Sequence, residues 1–154
     1  MNRRLAGEPF GRWRVIRRTP SRTPSEKFMN NQLWVEVVGD LILARIRGQP
    51  SEATLRECQR QVLALVADTG RARVLYDTLE MDAPTADVPW VQRELDDQLG
   101  AVKLRRAIVV PNSKLAYLAR LAFGEGDYRV FYNDVIAAVK WLSEPPASRL
   151  QSVK

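Results

Sequence analysis

The chain has 154 residues, enough for one domain whose core needs neither disulfide nor metal, and its 45% hydrophobic and 27% charged content is that of an ordinary globular protein. No apolar run approaches the roughly 20 residues that cross a bilayer, the N-terminus has no apolar core of a secretory leader, and one cysteine, Cys58, excludes an internal disulfide and fits a reducing cytoplasm. The net charge of +6 points toward nucleic acid until its distribution is read: residues 1–32 hold eight basic and two acidic side chains, so the rest of the chain is neutral.

Residues 1–30 form a separate basic extension. Pro9, Pro20 and Pro24 interrupt any regular element, and Thr19-Pro20-Ser21-Arg22-Thr23-Pro24-Ser25 has linker composition, so disorder is expected here. The arginines would suit nucleic acid or an anionic membrane surface. Met29, just ahead of the first expected strand, is a candidate alternative start, in which case residues 1–28 are not native.

Leu33–Val38 and Leu41–Ile46 are β-branched and apolar runs separated by Gly39-Asp40, the composition of a tight hairpin. Ser51 then caps a helix with Glu52 in its first turn. Leu55, Cys58, Val62 and Leu65 mark its inner face, and Gly70 stops it. Arg73–Tyr76 is the third strand, ending in Asp77. Asp87 is expected to cap the next helix, with Pro89 in its first turn and Val88, Val91, Leu95 and Leu99 buried.

Leu104–Val110 contains an apolar run suited to a central strand. Arg105 and Arg106, at its start, read as a solvated edge. Asn112 or Ser113 caps a helix striped by Leu115, Leu118, Ala122 and Phe123 and ended by Gly124. Tyr128–Tyr132 is the fifth strand, and Asn133 is expected to cap a last helix with Ile136, Val139 and Leu142 inward. Tyr132 and Trp141 are expected to fix that helix to the sheet. Residues 143–154 form a polar tail after Glu144-Pro145-Pro146. The order ββαβαβαβα defines an α/β fold: one mixed, mostly parallel five-stranded sheet with four helices.

Chemistry is sparse. The chain has no histidine, which removes the commonest general base and metal ligand, and no glycine-rich phosphate loop opens a helix. Cys58 lies on an apolar stripe, where packing outweighs reactivity. No catalytic residue, metal or cofactor is expected. The loop after the third strand, Asp77-Thr78-Leu79-Glu80-Met81-Asp82-Ala83-Pro84-Thr85, collects carboxylates and hydroxyls at a strand end, where α/β folds place binding loops. Its acids could in principle build a magnesium site, although a solvated loop is the plainer reading. Thr78 and Thr85 are candidate phosphate acceptors. Trp90 falls off the inner face of the following helix, so it is expected to be partly exposed beside the loop.

The element order resembles the STAS domain, found in sulfate-transporter cytoplasmic domains and bacterial anti-sigma-factor antagonists. Met81-Asp82-Ala83-Pro84-Thr85 is similar to the Met-Asp-Ser-Ser-Gly turn of the antagonists, with Ala83 standing where that family is phosphorylated by its partner kinase. Tyr132-Asn133-Asp134 through Trp141-Leu142 resembles the ending of small bacterial SpoIIAA-like, STAS/SEC14-related proteins. The resemblance covers residues 33–142. It implies a non-catalytic, cytoplasmic regulator that contacts a protein partner through Asp77, Thr78, Met81, Asp82, Ala83, Thr85 and Trp90. That partner would be an anti-sigma, kinase-type regulator or another STAS-like subunit, a second copy included. Control by phosphorylation is not inherited at Ala83 and would have to use Thr85 or Thr78. The SEC14 side of the resemblance implies an alternative, a lipid or small-molecule carrier with an apolar cavity beneath its helices. A third alternative is nucleic-acid or anionic-membrane contact through residues 1–28.

Overall fold

A computed structural model describes residues 32–124 and 126–145; the extension at residues 1–30 and the end of the tail lie outside the described residues. Strands β1 (Leu33–Val38) and β2 (Leu41–Ile46) form the hairpin, paired from Leu33↔Ile46 to Val38↔Leu41, with Gly39 supplying the positive φ of the turn. Helix α1 (Glu52–Thr69) starts at a reciprocal cap. The Ser51 hydroxyl accepts from the Thr54 amide, and the Thr54 hydroxyl accepts from the Ser51 amide, both at 3.2 Å. Gly70, at φ 73°, ends it.

Strand β3 (Arg73–Asp77), helix α2 (Val88–Asp97), strand β4 (Arg105–Val110), helix α3 (Ser113–Phe123), strand β5 (Tyr128–Tyr132) and helix α4 (Val135–Ser143) follow. The sheet order is β1-β2-β3-β4-β5. Only the β1–β2 pair is antiparallel; β2–β3, β3–β4 and β4–β5 are parallel, in register through Arg45↔Asp77 and Asp77↔Val109. The α/β class, strand number and element order are those expected from the sequence.

Alternation along the strands serves two faces. Ile42, Ala44, Val74, Tyr76, Ile108 and Val110 meet Cys58 and Val62 of α1 and Leu115, Ala116 and Ala119 of α3. On the opposite face Leu41, Leu75, Ala107 and Val109 meet Ala138 and Leu142 of α4, which lies over β3, β4 and β5. Helix α2 packs on α1 and α3, with Val88 and Leu95 against Leu55.

Five local expectations are corrected. Asp87 makes no capping bond: its own φ −80°, ψ −25° is already helical, whereas a capping residue needs extended backbone. Asp134, not Asn133, caps α4, accepting from the Ala137 amide at 2.9 Å, while Asn133 takes a left-handed φ of 52°. Ile136 is 82% exposed, because the inner face of α4 runs through Ala138 and Leu142 instead. Tyr132 is half exposed, and Trp141 alone of that pair fixes α4, lying against Phe131 and under the Arg105 guanidinium, 3.7 Å from the ring centre. Finally, Arg105 and Arg106 are no solvated edge. Arg106 is only 4% exposed and grips Asp96 with both terminal nitrogens, at 2.5 and 2.8 Å, while Arg105 donates to the Trp141 carbonyl at 3.1 Å.

Candidate functional site

The loop between β3 and α2 sits at the carboxyl end of the parallel strands, where helices and connections converge. Its first two residues are committed to holding it. One Asp77 oxygen pairs with the Arg45 side chain at 3.0 Å, and the other accepts from the Leu79 amide at 3.1 Å, the local turn that aspartate favours. Thr78 is 5% exposed. Its amide and hydroxyl both donate to the Val109 carbonyl, at 3.0 and 2.7 Å, extending the ladder one residue past β3. The expectation that Thr78 is an accessible contact or phosphate acceptor is therefore corrected: its hydroxyl is bonded inside the fold.

The middle of the loop is fastened to the connection between β2 and α1. Met81 forms an isolated parallel bridge with Gly48: the Gly48 amide donates to Glu80 at 3.0 Å, and the Asp82 amide donates to Gly48 at 2.9 Å. Arg47 pairs with Glu80 across this bridge, and the Gln49 side chain donates to the Ala83 carbonyl at 3.3 Å. Gly48 adopts φ 66°, a conformation open to glycine at little cost. Arg47, Gly48 and Gln49 are parts of the site that sequence reasoning missed; the glycine ahead of Pro50 was the only signal.

What remains outward is a short list. Asp82, Thr85 and Asp87 are exposed, and Trp90 in the first turn of α2 is 60% exposed, as its position off the inner face implied. Met81, Ala83 and Pro84 are half-buried. A hydrogen bond from Thr85 holds the Asp87 carboxyl below its ordinary range. Asp82 and Asp87 have no ion-pair partner among the described residues.

Among the described residues no group of three or more histidines, cysteines or carboxylates is placed to hold a metal ion, and no helix is long and apolar enough to cross a membrane. Cys58 is buried on the inner face of α1, and desolvation pushes its thiol up to about 12, far from the thiolate that reactivity requires. Behind the loop lies an apolar cavity of about 80 Å³ lined by Leu55, Tyr76, Met81, Val88, Leu115 and neighbours.

No family model and no curated relative matches the chain. Solved structures do. A protein from Shewanella loihica PV-4 described as having a SpoIIAA-like fold matches with TM-score 0.51 at 20% identity, over 71% of this chain and 91% of its own. The anti-sigma factor antagonist SpoIIAA in its unphosphorylated form matches with TM-score 0.55 at 10% identity, over 73% and 99%. An anti-sigma factor antagonist from Mycobacterium paratuberculosis matches with TM-score 0.55 at 13% identity, over 73% and 93%.

Proposed function

This chain carries the SpoIIAA-like, STAS-type fold, and from that premise we propose that it is a non-catalytic protein-interaction domain of the anti-sigma-factor-antagonist type. The observation that carries this reading is a loop held rigid from within, through Asp77, Thr78 and the Gly48–Met81 bridge, that turns Asp82, Thr85 and Trp90 outward. Rigidity lowers the entropy lost on docking, and an exposed tryptophan beside unpaired carboxylates is an anchor within a polar rim. Two of the structural neighbours are described as anti-sigma factor antagonists, which supports a protein partner.

The partner would be a kinase-fold regulator or another STAS-like subunit, and it would present basic groups to Asp82 and Asp87. Ala83 has no hydroxyl, so any phosphate control falls to Thr85, which is exposed three residues before α2. A phosphate there would add negative charge to an already acidic rim and weaken such a partner's hold. The carrier reading needs a large apolar cavity and is disfavoured: the apolar cavity behind the loop holds about 80 Å³, well short of the roughly 300–1,000 Å³ that ligand pockets occupy, and the larger groove at the other end of the sheet is lined by Arg73, Lys103, Arg105 and Arg106.

Asp82→Lys reverses one exposed charge and breaks no ion pair among the described residues, so the domain is expected to keep its circular dichroism and unfolding midpoint. Capture of partners from the native host is expected to drop at least tenfold. Recovery of the same partners at wild-type level by this variant would refute the placement of the interface.

A further inference from the structure

The described chain begins beside the loop just described. The Gln32 carbonyl accepts from the Arg47 amide at 2.8 Å, its side chain donates to the Gln49 carbonyl at 3.1 Å, and Gln49 in turn reaches Ala83. The 31 residues ahead of Gln32 therefore leave the domain one hydrogen-bonded neighbour away from Ala83, at the acidic end of the molecule. Residues 1–32 carry the whole net charge of +6, with six arginines between Arg3 and Arg18.

Charge sorts the two ends of the sheet. At the loop end Asp77 and Glu80 are matched by Arg45 and Arg47, while Asp82 and Asp87 have no ion-pair partner among the described residues; the exposed Lys114, in the first turn of α3, lies at the same end. At the other end a groove of about 580 Å³ is lined by Arg73, Lys103, Arg105 and Arg106; Arg105 is paired with Asp127 and Arg106 with Asp96, which leaves Arg73 and Lys103 without an ion-pair partner among the described residues. A basic segment is repelled there and attracted to the loop.

We propose that the arginine-rich segment, residues 3–22, docks on the surface formed by Asp82, Asp87 and Trp90. Nine residues lie between Arg22 and Gln32, ten Cα–Cα steps with a reach of up to about 35 Å when extended, so the tether spans the loop with chain to spare. A tethered segment meets its site at an effective concentration on the order of millimolar, so even individually weak arginine–carboxylate and arginine–tryptophan contacts keep the surface occupied. The docked segment covers the same surface as the proposed protein interface, and a protein begun at Met29 would present that surface bare.

The test uses the full 154-residue chain with no external partner, so it judges the docking apart from the interface assignment. Backbone amide spectra are compared, at low ionic strength, between the wild-type chain and a variant carrying Arg12, Arg14, Arg17 and Arg18→Gln. Docking gives amide shift differences concentrated in residues 80–91 that collapse at high salt. Those differences are also lost when both proteins carry Asp82→Lys and Asp87→Lys. Absence of differences at residues 80–91 in low salt overturns the proposal. So does their persistence in the presence of the two lysines, or their appearance instead around Arg73 and Lys103.

Discussion

Arg105 and Arg106 are the residues whose surroundings depart furthest from their composition. As neighbours on a strand they point to opposite faces, and each ties a different helix to the sheet: Arg106 grips Asp96 of α2 and lies over Phe123, while Arg105 lies over Trp141 of α4. A pair of arginines ahead of an apolar run gives no sign of this, because solvent is the default for charge and the Trp141 partner is 36 residues away. Burial makes the Arg106–Asp96 pair unforgiving. Removing the carboxylate with Asp96→Ala leaves a guanidinium in the core, and urea unfolding is expected to show a loss of about 3–5 kcal/mol. The double replacement Asp96→Leu with Arg106→Met is expected to cost less than that single change, since it removes the orphaned charge as well.

Helix ends show which parts of an element are legible. Ser51, Gly70 and Asn112 act as their side chains or backbone freedom suggest, because extended or left-handed backbone meets a residue able to use it. Asp87 and Asn133 do not, since capping depends on backbone angles that a residue type does not reveal. The contrast is measurable. Asp134→Ala removes a cap bond at 2.9 Å and is expected to cost about 1 kcal/mol, whereas Asp87→Ala loses no cap bond, only a fully exposed one from Thr85, and is expected to stay within a few tenths. Equal losses in thermal or urea unfolding would contradict the assignment of these two ends.

For the molecule as a whole, element order was readable because each strand and helix carries its own period, from the Gly39 turn to the Leu142 face, and the resulting fold is like that of its structural neighbours. The loop's position was readable for the same reason. Its stiffness was not: the bridge joins Gly48 to Met81, 33 residues apart, through backbone atoms that any sequence possesses. Division of labour within the loop also needed the fold, which turns Asp77 and Thr78 inward and leaves Asp82, Thr85 and Trp90 outside. Hydrogen exchange on the chain, alone and with a partner captured from its host, tests the central claim most directly. Added protection is expected in residues 47–49 and 80–91, with β5 and α4 unchanged. Protection confined to β5 and α4, with residues 80–91 exchanging as in the free chain, would contradict the account.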